Sequence, residues 1–410
     1  LPNRPIVLPP RLPRRIETLW NWLRALTIDD VLINTEGLVR ARAVRYATAS
    51  RFAEPEPLPW DGVITEERGP ACPQPPSALA SVVGSSVEGL TFDENCQVLS
   101  VTAPAGASGL PVMVWFHGGA YVTGSGESTK YDASLLALEG VVVVSVSYRL
   151  GIFGYLRDNL GLLDQLVALR WVRDNIAAFS GDPSNVTAFG QSAGADSVYA
   201  LMLVSDEPLF HRAILQSAPL GARGPERAEM TAALREFVSV DASTSVDDVL
   251  AVQKDALSMA SARFSPSGGM PFGPVLGEID LAPAASRIEL LVGHTADDAS
   301  PYVPDQPEAW EIATELVFAG PARQLAADWT TAGGQAATFN FRWRPANAPL
   351  GACHCMELPF LFDPAGWSGA GMLAGQEPDP VLAKTVRSLW TGFARNGMDA
   401  LPSRSLELGE

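Results

Sequence analysis

Apolar and polar positions follow two rhythms along the middle of this chain. "PVMVWFHG" (111–118) and "GVVVVSVSYRL" (140–150) are almost unbroken apolar runs of strand length, as strands buried on both faces require. In "GLLDQLVALRWVRDNIAAF" (161–179), Leu162, Leu166, Leu169, Val172 and Ile176 recur at helical spacing and mark one apolar face. "SGDPSN" then predicts a turn, "VTAF" from Val186 a strand end, and "AGADSVYALMLV" from Ala193 a helix. "RIELLVGHTADD" (287–298) and "AATFNFRW" (336–343) predict two more strands. "DPVLAKTVRSLWTGFARNG" (379–397) predicts an amphipathic helix ended by Asn396-Gly397. Strand and helix in alternation predict an α/β fold, with a mostly parallel central sheet flanked by helices.

The flanks read differently. Residues 1–28 are Pro- and Arg-rich and then helical in pattern around "ETLWNWLRAL", and are expected to be an N-terminal leader. Short strand-like pieces follow from Val31 to Pro59. Residues 29–405 read as a single catalytic domain without internal repeats. Within it, 221–275 (polar, small, Ala/Ser-rich) and 300–350 are expected to be cap or wall insertions made of short helices and loops.

Composition changes this picture mainly by exclusion. The 410 residues carry 29 Lys+Arg against 46 Asp+Glu, a net charge of −17, which repels nucleic acid and anionic membranes. No apolar run reaches the length of a membrane span. The chain begins at Leu1, so a segment upstream is expected, and both cytoplasmic and secreted locations stay open. Cys72 and Cys96 lie in an early loop-rich region and could close a disulfide; two buried free thiols account for them about as well. "CHC" (353–355) lacks a fourth ligand at helpful spacing, so no metal is expected.

The candidate chemistry starts at "GQSAG" (190–194). Ser192 falls on the turn between a strand and a helix, with a glycine two residues to either side. So tight a turn brings the backbone too close for side chains at the flanking positions. It lifts the hydroxyl above the amides of a helix N-terminus, which matches the nucleophile elbow of α/β-hydrolases. Acyl transfer by serine also needs a base, a group that orients the base and donors for the oxyanion. Of the four histidines, His117 precedes Ser192, His211 follows its helix closely on an apolar segment, and His294 precedes the best acids. His354, in the loop "GACHCMELPFLF", is left as the base. Asp297 and Asp298 follow a strand end, where an orienting carboxylate belongs, and either could serve. In "VWFHGGAY", small residues after a buried strand leave backbone N–H groups unobstructed. The amide of Ala193, just after the serine, offers a further donor.

These segments, together with "SYRLGIFGYL", "LFHRAILQSA" and "GPVLGE", resemble the type-B carboxylesterases, the family of cholinesterases and bacterial p-nitrobenzyl esterases. The matches run in order from Thr35 to about Gly397. The resemblance implies an α/β-hydrolase fold and a serine esterase without cofactor, acting on a small-molecule ester. It makes Ser192 the nucleophile, His354 the base and Asp298 the acid, with oxyanion donors at Gly119, Ala120 and Ala193. It also implies a Cys72–Cys96 disulfide, an Arg51–Glu94 salt bridge beneath that loop, and a serine near the acid at Ser217.

Four departures from the family pattern carry expectations. Aspartate replaces the usual glutamate at 298, so the loop must approach His354 more closely. Only 354 − 298 = 56 residues separate acid from base, which implies reduced walls and a more open pocket. The usual "GIPYAxPPxGxxRF" segment is cut to "RYATASRF". Cys355 follows the base, where an oxidation-sensitive thiol is expected. An acyltransferase using the same acyl-enzyme, or a non-catalytic binding protein on this fold, is the alternative reading.

Overall fold

The computed structural model describes residues 37–223, 227–264 and 270–409. The expected leader, 1–28, lies outside them. Nine strands form one sheet in the order β1 (Leu38–Arg45), β4 (Val98–Pro104), β6 (Val142–Val146), β5 (Leu110–Phe116), β7 (Gly181–Gln191), β8 (Arg212–Gln216), β9 (Glu289–Thr295), β10 (Ala336–Phe341) and β11 (Ser405–Leu408). Only the β1–β4 and β4–β6 pairs are antiparallel; from β6 to β11 every pair is parallel. A ribbon of β2 (Ala47–Thr48) and β3 (Glu56–Pro57) stands apart. This is the α/β-hydrolase fold.

The two-residue period of a strand divides the core between the two faces of the sheet. Along β5, Val112, Val114 and Phe116 join the apolar layer that contains α1 (Leu160–Asn175) and α2 (Ala193–Val204). Met113 and Trp115 point the other way and pack in a layer with Val386, Trp390 and Phe393 of α7 (Pro380–Asn396). Burial on both sides accounts for the unbroken apolar spelling of these strands.

The stretch 221–275 holds α3 (Arg227–Phe237) and α4 (Val246–Arg263), the second longer than the short helices expected there. Met230, Leu234, Val249 and Ala256 pack in a third cluster with Tyr121, Ile152 and Phe153. The stretch 300–350 supplies α5 (Pro307–Thr314), a π turn at Glu315–Ala319 and α6 (Gly320–Thr331). It also contains β10, a strand of the central sheet, so this segment is not wholly an insertion. No helix among the described residues is long and apolar enough to cross a membrane.

Candidate active site

Strand β7 runs through the middle of the sheet and delivers Ser192 to its C-terminal edge, directly before α2. Ser192 sits at φ 56° and ψ −126°, a region that side chains avoid at a cost of roughly 1–3 kcal/mol. Its N–H donates to Gln216 O (2.8 Å), and its carbonyl accepts from Asp196 N (2.9 Å), which hold the turn. A Cβ on Gly194 would lie 2.0 Å from Phe116 O, and one on Gly190 would lie 2.5 Å from Gly194 C. The two glycines let β5 and the turn touch backbone to backbone.

The loop after β5 is equally constrained. Gly119 (φ 120°) approaches Thr123 O so closely that a Cβ would stand 2.1 Å away. Ala120 and Tyr121 follow with φ 53° and 62°. The N–H groups of Val122 and Thr123 both donate to Gly119 O at 3.0 Å and close the turn. His117 braces it from within: its ring stacks on Tyr148 at 4.5 Å and its Nδ1 lies 2.9 Å from Gly118 O. Burial pushes His117 down to about 4, so its imidazole is neutral and Nδ1–H donates to that carbonyl. The loop lies against the elbow, since a Cβ on Gly118 would be 3.0 Å from Ser192 Cβ. Among the described residues, no hydrogen bond uses the N–H groups of Gly119, Ala120 or Ala193.

Asp298 and His354 meet at the same edge, with Nδ1 of the imidazole 2.5 Å from Asp298 Oδ1. Both are buried, at 0 % and 2 % exposure, beside Ser192 at 7 %. The second Asp298 oxygen accepts from Thr295 N at 3.0 Å. Asp297 takes a different part. Its carboxylate accepts from Ala352 N (2.8 Å), and its own N–H donates to Ala352 O (2.9 Å), which ties the histidine loop to the end of β9. With the loop held there, the aspartate at 298 reaches His354.

Ser192 and His354 are not hydrogen-bonded to one another. His354 Nε2 instead lies 3.0 Å from the amide nitrogen of Gln191, the residue next to the serine. With Nδ1 occupied by a carboxylate, Nε2 presents a lone pair, and the Gln191 amide donates to it. Sequence reasoning passed over Gln191, which sits inside the quoted "GQSAG" without a charge to mark it. Tyr302 and Phe318 are a second omission. Their rings flank His354 at 5.5 and 5.3 Å, whereas Phe116, Tyr121 and Phe341 are fully buried core.

Six further residues correct or complete the expectations. Cys72 and Cys96 are buried free thiols rather than a disulfide; Leu150 N donates to Cys72 Sγ (3.3 Å), and burial holds the Cys96 thiol well up beside Cys72. Cys355 is buried, and burial raises its thiol well above the usual range, next to the charge of Glu357. So protonated a thiol is a poor target for oxidants, contrary to expectation. The Arg51–Glu94 pair forms as implied, with Arg51 Nε donating to Glu94 Oε2 at 2.7 Å. Ser217 is buried at φ 49°, between the elbow and β9, and its N–H donates to Gly293 O (2.8 Å).

Glu357, one turn past His354, is fully buried. Burial pushes its carboxyl up to about 7, with nearby Asp298 acting in the same direction and the Gln216 amide (2.9 Å) against it. Its unfolded value is about 4.3. Between those values the folded chain holds a proton that the unfolded chain has released, so stability falls as pH rises through that window. Glu357→Gln removes this dependence. In denaturant titrations the variant should gain on the parent between pH 4.5 and pH 8, by on the order of 3 kcal/mol at the upper end. A gap that stays constant with pH would contradict the assignment.

Comparison with known proteins identifies the family. A model of the carboxylesterase family matches residues 40–300. A probable N-octanoylanthranilate hydrolase, AqdA2 of Rhodococcus erythropolis, is 36% identical over 407 residues, covering 88% of this chain and 89% of that protein. The para-nitrobenzyl esterase of Bacillus subtilis (strain 168) is 35% identical, covering 85% of this chain and 83% of its own. Among solved structures, the Geobacillus stearothermophilus carboxylesterase EST55 superposes with a TM-score of 0.73 at 30% identity, covering 90% of each chain. The chain belongs to the carboxylesterase family, in its type-B, p-nitrobenzyl esterase-like branch.

Proposed function

We propose that this chain is a serine carboxylic-ester hydrolase that works through an acyl-enzyme on Ser192. The single observation that carries the reading is the buried Asp298–His354 contact at 2.5 Å, set beside a strained Ser192 at a helix N-terminus. Asp298 fixes the imidazole with its proton on Nδ1, leaving Nε2 to act as base. When the Gln191 amide turns away, that lone pair is free to accept from Ser192 Oγ. Catalytic hydrogen bonds are often completed only when substrate binds.

Ser192 Oγ then attacks the ester carbonyl and its proton passes to His354 Nε2. The N–H groups of Gly119, Ala120 and Ala193 are the donors for the oxygen that becomes negative. Collapse of the tetrahedral species breaks the carbon–oxygen bond, and His354 returns the proton to the departing alcohol. Water repeats the sequence on the acyl-enzyme, giving the carboxylic acid and free Ser192. The chemistry calls for neither metal nor organic cofactor. The substrate is a small-molecule ester.

A pre-steady-state experiment tests this. Mixing the protein with p-nitrophenyl esters from acetyl to octanoyl should give, for those whose deacylation is slow, a burst of about one p-nitrophenolate per chain. Turnover with neither burst nor trappable acyl-protein across the panel would contradict an acyl-enzyme.

A further inference from the structure

The donors proposed for the oxyanion come from two separate segments, so something must set one against the other. Gly119 and Ala120 lie on the loop after β5, whereas Ala193 opens α2 behind Ser192. Donors stabilise an oxyanion only when they are already aimed, and a misplacement of about 1 Å can cost 100-fold in rate. The loop does not hold its shape by backbone preference. Ala120 and Tyr121 both sit at positive φ, 53° and 62°, which side chains adopt only where their surroundings impose it.

Those surroundings converge on the Tyr121 side chain, which is fully buried. Its ring meets Tyr155 edge to face at 4.7 Å, and its carbonyl accepts from Gly151 N at 2.6 Å. The hydroxyl donates to Asp196 Oδ2 at 2.6 Å and accepts from Ser197 Oγ at 3.3 Å. Burial holds the Tyr121 phenol well above its ordinary range, with the Asp196 charge acting the same way, so the hydroxyl stays a donor. Hydrogen bonds to a carboxylate are the stronger kind. Asp196, fully buried too, lies one turn along α2, and its N–H donates to Ser192 O at 2.9 Å. Arg223 keeps the carboxylate from swinging, with Nε donating to Oδ1 and Nη2 to Oδ2 (3.0 Å). A continuous chain therefore joins Ala120, through Tyr121 and Asp196, to Ser192.

We propose that Tyr121 and Asp196 are positioning residues of the oxyanion hole, their hydroxyl–carboxylate bond fixing Gly119 and Ala120 relative to Ala193 and Ser192. Both side chains are fully buried, so they act through the loop and not on the substrate. The inference rests on the acyl-enzyme reading given above.

Tyr121→Phe tests it, because it removes one oxygen and keeps the ring. In the intact protein, kcat/KM for p-nitrophenyl butyrate should fall about 20-fold. A pair of ketones separates aim from packing. Octyl trifluoromethyl ketone adds to a serine hydroxyl and forms a tetrahedral oxyanion, whereas octyl methyl ketone binds without adding. The parent should prefer the first by at least about 100-fold. Tyr121→Phe should weaken the first about 20-fold and the second by less than about twofold. Asp196→Ala breaks the same bond from the other side and should weaken the trifluoromethyl ketone at least as much. Adding Tyr121→Phe to it should then change that affinity by less than about twofold. Either single variant alone carries the comparison if the other fails to fold. Unchanged affinity for the trifluoromethyl ketone, an equal loss for both ketones, or additive losses in the double variant would overturn the proposal. A parent that binds the two ketones alike would overturn the acyl-enzyme reading, and this proposal with it.

Discussion

Ser192→Ala should lower kcat for a p-nitrophenyl ester by about 10⁶-fold, and Asp298→Asn by about 10⁴-fold, with little change in KM. The serine variant removes the attacking oxygen while keeping the side chain small, so the strained turn at φ 56° is no worse off than before. The asparagine case follows from the hydrogen bonds of residue 298. One carboxylate oxygen faces His354 Nδ1 and the other accepts from Thr295 N. Asparagine has one acceptor and one donor. Whichever way the amide turns, an NH₂ group meets either the imidazole or the Thr295 N–H, and the first choice forces the wrong tautomer. Asp297→Asn is the matched control. Its amide oxygen can still accept from Ala352 N, so activity should stay within about fivefold of the parent. Equal losses in the two aspartate variants would contradict the assignment of Asp298.

Gly194→Ala should abolish both folding and activity for a reason unrelated to chemistry. The added methyl would stand 2.0 Å from Phe116 O and 2.7 Å from His117 O, both backbone atoms of the central strand or the loop that leaves it. Neither can retreat without breaking the β5–β7 pairing, whose register sets Phe116 against Gly190. Forcing atoms into a packed core costs typically 1–3 kcal/mol where side chains can give way. Here the obstacle is backbone, so a loss of more than about 4 kcal/mol is expected. Gly369→Ala is the control, since a methyl there meets nothing within 4 Å. Chemical denaturation of both should show a collapsed midpoint for the first and a near-parental one for the second. A stable Gly194→Ala would mean that the elbow is less tightly packed than described.

What could be read in the sequence was whatever local physics alone dictates. β5 and β6 are buried on both faces, so their apolar runs were plain, and the Leu162–Ile176 stripe fixed α1. β8 was passed over because "RAILQ" is five residues inside a longer apolar segment. β11 was missed because "SLEL" is an edge strand with alternate residues exposed, indistinguishable locally from a tail. The elbow glycines announced their own backbone contacts. His354 emerged from chain order among only four histidines, and in the folded chain its Nδ1 lies 2.5 Å from Asp298 Oδ1.

The residues that escaped notice are those defined by tertiary proximity. Gln191 is uncharged and next to the serine, and only the folded loop brings His354 within 3.0 Å of it. Glu357 looks like a surface carboxylate until the loop buries it against Gln216. The state of the cysteines escaped notice for a related reason. Spacing said that Cys72 and Cys96 could pair, but not whether the bond forms, and nothing local to Cys355 revealed how deeply its thiol lies.

The central claim is that Ser192 is a nucleophile made reactive by the imidazole beside it. The most direct measurement treats the native protein with a fluorophosphonate and locates the adduct by peptide mass spectrometry. A single phosphonyl group on the peptide containing Ser192, lost in His354→Ala under the same conditions, is the predicted result. A native protein left unlabelled at Ser192, or labelled equally well without His354, would contradict it.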